Sequence, residues 1–280
     1  MKICPNCQTS LPPEARFCYQ CGALQLPSLE PAAAPDWDWQ APLVPQAFSR
    51  FQERLSERVV CEQNEAQLAQ YQERLYESNY RETVQRRLQQ WEESLALPED
   101  DKVGQSRTLR ELRHLSDDLL DFFFIMHCSD LNRVVLPERM LRYQQLPPEE
   151  IDLGEMALAF LDFEHEEDRL YTDFVTMPVS KIRNAGKAFL FPDKTEKIWF
   201  ICDQSLLGNA KKGFAMTEKA LYWKSGLQPA QRIYYHKLFA LAKEKEWLLI
   251  NELYFNASPS LNTKMIWLLR RLAGLLRAEL

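Results

Sequence analysis

The chain has 280 residues, of which 46% are hydrophobic and 26% charged. This is enough apolar material for a buried core, and it excludes a chain that is disordered throughout. Its eight glycines form no phosphate-cradling G-x-x-x-x-G-K-[ST] or G-x-G-x-x-G pattern. No apolar run reaches the roughly 18 residues that predict a membrane-spanning helix. At roughly 150 residues per domain, the length predicts about two domains.

Charge is divided unevenly along the chain. Residues 178–280 carry 17 Lys and Arg against 8 Asp and Glu, a net charge of +9, whereas 1–177 carries 17 against 32, a net charge of −15. Such a split indicates segments with different partners. The basic segment favours an anionic surface, which is a phospholipid headgroup layer, a nucleic acid or the acidic part of the same chain.

Four of the seven cysteines form two C-x-x-C pairs at the N-terminus, Cys4 with Cys7 and Cys18 with Cys21. Two thiolates on one tight turn reach one metal ion, and two such turns complete a tetrahedral shell. The motif resembles the short N-terminal zinc ribbon of many bacterial proteins and covers residues 2–23. Because four thiolates leave no open coordination position, we predict one structural Zn²⁺ per chain. The alternative is a disulfide or redox pair, but no signal-peptide core and no βαβ pattern accompany the cysteines.

A proline-rich stretch, 24–45, is predicted to be a linker after the ribbon domain at 1–23. It contains Trp37 and Trp39, and the sequence is compatible with two arrangements of these side chains. The tryptophans either dock on a distant surface of the chain or fold back locally onto the following helices.

A long helical region is predicted over 46–177. Residues 46–97 contain no Gly or Pro, and their apolar positions recur at steps of three and four. The narrow stripe suits either a coiled-coil seam, through which the chain would form a homo-oligomer, or a helical hairpin. The polar stretch 61–67 marks a break between two helices, and a further helix is predicted at 107–127.

Two groups in this region were weighed as catalytic or metal-binding and set aside. His127 and Cys128 are neighbours, so on a helix they point about 100° apart and cannot act as base and nucleophile. Asp162 and His165 have the i, i+3 spacing of half a carboxylate di-metal site, but no second Glu-x-x-His motif completes it. We therefore expect the chain not to be an enzyme.

The segment 178–280 is predicted to contain short antiparallel strands at about ten-residue spacing and a closing helix at 261–278. The stretches Gly213-Phe214-Ala215-Met216-Thr217 and Leu221-Tyr222-Trp223-Lys224 resemble bacterial pleckstrin-homology-like (PH-like, GRAM-like) domains. The resemblance implies an antiparallel β-barrel or curled sheet closed by a helix. The overall expectation is a multidomain α+β protein with a zinc ribbon, a helical middle region and this PH-like domain.

The same resemblance implies that a ligand would be held at the loop after the first strand of the domain. There the chain offers Lys211 and Lys212, with Lys187 and Lys224 as further candidate ligand-binding residues. The function expected from the sequence is that of a cytoplasmic, non-enzymatic adaptor that binds a protein or an anionic ligand. The alternative is a peripheral membrane or nucleic-acid binder that acts through the basic segment.

Overall fold

The computed structural model describes residues 2–3, 10–11, 37–95, 102–226, 228–244 and 246–277. Its elements, in chain order, are β1 (Lys2–Ile3), β2 (Ser10–Leu11), α1 (Leu43–Glu62), α2 (Leu68–Glu77), α3 (Tyr80–Ser94), α4 (Lys102–His127), α5 (Leu153–Leu161), β3 (Arg169–Tyr171), α6 (Val179–Ala188), β4 (Ile198–Asp203), β5 (Gly213–Thr217), β6 (Ala220–Lys224), β7 (Gln231–Tyr234), β8 (Leu241–Glu244), β9 (Trp247–Ile250), β10 (Leu253–Phe255) and α7 (Pro259–Arg277). In these ranges we find no helix that is long and apolar enough to cross a membrane.

Helices α1 to α3 form a helical hairpin. The N-terminus of α1 meets the end of α3, where Leu43 N donates to Glu92 Oε1 at 2.6 Å. The predicted break at 61–67 is present, because α1 ends at Glu62 and a 3-10 turn precedes α2. The second arm bends between α2 and α3 at Asn79, whose φ of 56° lies in the left-handed region. The hairpin interior is lined by the apolar stripe, which includes Ala47, Phe51, Leu55, Val59, Tyr71, Leu75, Val84 and Leu88.

The apolar stripe is therefore covered within the chain by its own neighbouring helices. Helices α2, α3 and α4 all contact α1, and a coiled-coil seam is not seen in the described ranges. Trp37 and Trp39 take the local arrangement. Both are half-buried against this helical core, and Gln46 holds the segment between them by bonding the Asp38 backbone.

The strands from β3 onward form two antiparallel sheets. Strands β3 to β7 lie side by side in chain order, and β8, β9 and β10 form a separate three-stranded sheet. One face of the larger sheet, which includes Phe214 and Trp223, packs into the main core. Its other face, which includes Ala215 and Tyr222, is covered by α6. This alternation follows from the two-residue period of a strand.

The prediction of a closed β-barrel is wrong, because the two sheets are open. A 3-10 turn at Tyr235–Lys237 follows β7 and interrupts the ladder before β8 begins. Both sheets share one core with α7. Strand β3 comes from before the predicted boundary at 178 and pairs with β4, Leu170 lying opposite Cys202.

Helix α7 is buried on nearly all sides. Leu268 and Leu269 have no exposed surface, and Trp267 is 2% exposed. The helix contacts α5 on one side and β9 on another. The helical region and the sheets therefore meet around α7 in a continuous core.

Candidate functional site

The four predicted zinc ligands, Cys4, Cys7, Cys18 and Cys21, lie outside the described residues. Strands β1 and β2 pair on either side of the first C-x-x-C motif, with Lys2 opposite Leu11 and Ile3 opposite Ser10. The donor set itself is four thiols in two tight pairs, which suits tetrahedral zinc. Elsewhere, in the ranges that the structure describes, no group of three or more His, Cys, Asp or Glu side chains is placed to hold a metal ion.

The loop between β4 and β5, residues 204–212, is held firmly at its base. Gln204 N donates to Lys212 O at 3.0 Å. Ser205 Oγ accepts from Asn209 N at 2.7 Å and from Ala210 N at 3.1 Å, and it donates to the buried Asp203 carboxylate. A loop with this many internal hydrogen bonds presents its remaining side chains in a fixed arrangement.

Helix α6 supports the same loop from the side. Asn184 Nδ2 donates to Asn209 O at 2.8 Å, and Ala210 is buried in the small core beneath the helix. Lys187 lies one turn after Asn184, so it is on the loop side of α6. Its side chain is exposed.

The structure brings the four candidate lysines to one end of the larger sheet. Lys211 and Lys212 are exposed at the end of the loop. Lys224 is half-buried on β6, and its Cα is paired with that of Gly213, the residue after Lys212. In the described ranges none of these lysines forms an ion pair, so their charges are available to an anion.

Two features of this surface were missed by the sequence reasoning. Leu206 is 99% exposed and Leu207 is 81% exposed at the tip of the loop. Arg169 on β3 adds a fifth cationic side chain to the four lysines, because its guanidinium lies against Gly208. The pair of leucines was visible in the sequence, but only the fold shows that no other element covers them. We call Arg169, Lys187, Leu206, Leu207, Lys211 and Lys212 the loop surface.

Three basic residues of α7, Lys264, Arg270 and Arg271, form ion pairs with the acidic helical region. Arg270 pairs with Glu62 on α1, and Arg271 Nη1 lies 2.9 Å from Asp118 Oδ1 on α4. Lys264 is 2% exposed and bonds Glu166 Oε1 at 2.9 Å. These three charges of α7 therefore serve internal ion pairs that connect the helix to the helical region.

The side chains that were set aside as catalytic are used structurally. Asp162 accepts from Arg139, lies 2.9 Å from His165 Nδ1 and 3.7 Å from Lys264 Nζ, and so is the centre of an ion-pair cluster. Burial raises the pKa of the Cys128 thiol to about 12, so it is protonated at neutral pH. His127 packs on the Tyr80 ring with centroids 4.9 Å apart.

Comparison with known proteins identifies one segment of the chain. The zinc-ribbon domain family matches residues 3–24, which span both C-x-x-C pairs. Neither the curated proteins nor the solved structures include a match to this chain. The chain therefore carries an N-terminal zinc-ribbon domain, a zinc-binding module, in front of a mixed helix and sheet structure.

Proposed function

We propose that the chain is a non-enzymatic interaction protein that combines a structural zinc ribbon with a PH-like C-terminal module. The proposal rests chiefly on the loop surface, where four exposed or half-exposed cations surround two exposed leucines on a firmly held loop. Exposed cations beside exposed apolar side chains suit a partner that offers both anionic and apolar groups. The zinc-ribbon match supports the metal-binding part of the proposal.

The element order supports the PH-like interpretation. After α6 the chain makes four antiparallel strands, three more strands in a second sheet and one closing helix. This is the layout of strands followed by a helix on which the resemblance was based. In PH-like modules this layout serves binding of lipids, peptides or proteins, so the loop surface is the contact we assign.

The ribbon part of the proposal is tested by metal analysis. Cys18→Ser removes one of four thiolates, and we expect the zinc content of the purified chain to fall from one per chain to near zero. Cys61→Ser is the matched control, because Cys61 is an exposed free thiol on α1. Zinc retained in Cys18→Ser, or disulfides among the four ribbon cysteines in the native protein, would overturn the assignment.

Protein binding at the loop surface is tested by cross-linking in cells. A photo-cross-linking amino acid at position 207 should give a discrete adduct with one partner. The same amino acid at position 135 should not, although Val135 is also 77% exposed. Adding Lys211→Glu and Lys212→Glu should remove the adduct at position 207. Equal adducts at both positions would contradict a specific protein contact.

Peripheral membrane association is the second candidate, and the exposed Leu206 and Leu207 favour it. An apolar tip flanked by lysines matches a bilayer that offers acyl chains beneath anionic headgroups. The full chain should sediment with phosphatidylcholine vesicles containing 30% phosphatidylserine and not with phosphatidylcholine alone. Leu206→Ser with Leu207→Ser should abolish sedimentation, whereas Val135→Ser should leave it unchanged. If vesicles of both compositions fail to bind, this candidate is rejected.

A further inference from the structure

A second cationic surface lies at the opposite end of the larger sheet from the loop surface. Glu218 N donates to Lys197 O at 2.9 Å, and Tyr235 N donates to Lys219 O at 3.1 Å. These bonds bring together the residue before β4, the turn between β5 and β6, and the end of β7. The loop surface lies where β4 ends and β5 begins. The length of a five-residue strand, about 17 Å, therefore separates the loop surface from this second surface.

Tyr234 on β7 is the centre of this second surface. The Arg232 guanidinium carbon lies 4.6 Å from the centroid of its ring. The His236 ring is stacked at a centroid distance of 5.6 Å and an interplanar angle of 28°. Lys237 Nζ lies 5.7 Å from the same centroid. Arg232, His236 and Lys237 are exposed and Tyr234 is half-buried. We call these four residues the Tyr234 patch.

Positive charge predominates around the patch. Lys197 and Lys219 are exposed beside it. Lys219 lies 4.0 Å from Glu218, but Lys197, Arg232 and Lys237 form no ion pair in the ranges that the structure describes. A hydrogen bond to Tyr222 is the main cause that raises the pKa of Arg232, and the Asp193 carboxylate makes a smaller contribution in the same direction. Arg232 is therefore charged at any physiological pH.

The nearest buried acid does not neutralise the patch. Glu196 is 7% exposed and is turned inward, where it accepts from the hydroxyls of Thr217 and Tyr222. The exposed cations consequently face solvent with planar groups between them. The guanidinium of Arg232, the ring of Tyr234 and the ring of His236 form one layered set.

We propose that the Tyr234 patch binds single-stranded nucleic acid. Interleaved cations and rings suit this ligand, because cations follow the phosphates while each base finds a planar group to stack on. The exposed outer face of His236 is the stacking platform. Unstacked base faces exist in single strands and not in a duplex. An acidic peptide would satisfy the cations, but it has no use for the layered rings.

The test uses the full chain with a fluorescein-labelled 12-nucleotide oligo(U), measured by fluorescence anisotropy. Three to four phosphate contacts, each contributing about 0.7 to the salt slope of a single strand, predict roughly a 20- to 50-fold loss of affinity between 50 and 200 mM salt. Lys237→Ala should lower that slope by about 0.7. His236→Ala should weaken binding at least fivefold with the slope unchanged, because it removes a stacking surface but no phosphate contact.

The controls separate this surface from other anion sites. Lys211→Ala with Lys212→Ala, at the other end of the sheet, should leave oligo(U) affinity within twofold. A labelled 12-residue oligoglutamate tests the rival ligand and should bind at least tenfold more weakly than oligo(U). The proposal is overturned if oligo(U) fails to bind at 50 mM salt, if His236→Ala has no effect, if the loop lysines carry the binding, or if oligoglutamate binds equally well. His236 is exposed, so its loss leaves the fold intact.

Discussion

Arg58 shows how single residues connect the acidic and basic parts of the chain. It is 5% exposed, and its guanidinium bonds Asp121 Oδ1 at 2.7 Å and Glu62 Oε2 at 3.2 Å. The guanidinium carbon also lies 4.3 Å from the centroid of the Trp267 ring on α7. Glu62 in turn accepts a hydrogen bond from Arg270, which is also on α7. One buried carboxylate therefore serves cations from both ends of the sequence.

Removing that carboxylate should be strongly destabilising. Glu62→Gln keeps the volume of the side chain, but it leaves the buried Arg58 guanidinium and the half-buried Arg270 guanidinium with less negative charge than they need. Breaking a buried ion pair in this way costs about 3–5 kcal/mol, and we expect a loss of at least about 3 kcal/mol in the free energy of unfolding. Urea denaturation measures it. Glu53→Gln, which removes an exposed pair with Arg50, should change the stability by less than about 1 kcal/mol. Equal effects of the two substitutions would contradict the role of Glu62.

Asp118 gives the protein a pH dependence of opposite sign to that of an ordinary ion-paired carboxylate. Burial, together with the nearby carboxylates of Asp121 and Asp117, raises its pKa from 3.8 to about 6 despite the Arg271 guanidinium. The folded state therefore holds this proton more tightly than the unfolded state. The contribution of Asp118 to the free energy of unfolding therefore declines as the pH rises from about 4 to about 6, and it stays constant at higher pH.

The variant Asp118→Asn tests this sign. It should match the wild type in melting temperature at pH 4.5 and should be equally or more stable at pH 7.5, because Asn carries no charge to bury. Asp130→Asn is the control. A hydrogen bond from Arg74 lowers the pKa of Asp130, so that variant should lose stability at pH 7.5 relative to low pH. A loss in Asp118→Asn that appears only at pH 7.5 would show that the Arg271 pair outweighs burial.

At the scale of elements, the hairpin of β4 and β5 depends on Gly213. Its φ is +133°, and a Cβ at this position would overlap the carbonyl oxygen of Cys202 on the neighbouring strand. Gly226 also has a positive φ, +56°, but a Cβ there would contact nothing within 4 Å. Alanine substitutions at the two positions therefore distinguish the cost of backbone strain alone, at Gly226, from the cost of strain with steric overlap, at Gly213.

Gly213→Ala should accordingly cost more than Gly226→Ala. For Gly226→Ala we expect only the left-handed backbone cost of roughly 1–2 kcal/mol. For Gly213→Ala we expect at least twice that loss in urea denaturation, together with weaker vesicle or partner binding by the loop surface. Comparable losses in the two variants would show that the hairpin shifts to accept the methyl group.

The elements were largely predictable because their local signals are strong. The hairpin strands 213–217 and 220–224 and the break at 61–67 follow from alternation and from a polar interruption. The bend at Asn79 was missed, since no Gly or Pro marks it. Strand β3 was missed because its three residues follow the charged run that ends at Asp168. Strand β3 is placed at the edge of the sheet by its pairing with β4, and no local sequence pattern reveals that pairing.

The candidate sites were predictable only in part, for a similar reason. The four cysteines are predicted as zinc ligands from their spacing alone, and Lys211 and Lys212 are predicted from their position in a hairpin. Arg169 reaches the loop through strand pairing, and backbone hydrogen bonds between distant segments bring Lys197 and Lys219 beside the Tyr234 patch. Such long-range neighbours are set by the fold. The same applies to the basic face of α7, whose ion pairs lie up to 208 positions away in the chain.

For the whole molecule, α7 joins the helical region and the sheets in one core among the residues that the structure describes. The core cluster that contains Trp267 runs from Leu43 on α1 through Phe214 on β5. The Trp267 ring meets Phe124 on α4 edge-on, with centroids 5.8 Å apart. A contiguous core of this kind should unfold in one transition, although the opposite charges of its two segments suggest separate domains from sequence.

Trp267→Ala should therefore loosen distant parts of the chain together. Removing a buried Trp costs about 3–5 kcal/mol, and amides that exchange through global unfolding should exchange roughly 150- to 4,000-fold faster. In hydrogen-exchange mass spectrometry we expect this acceleration in α1 and in β5 alike. Phe239→Ala removes an aromatic ring that is 62% exposed and should leave both unchanged. Acceleration confined to residues 198–277 would show instead that the sheets and α7 fold independently of the helical hairpin.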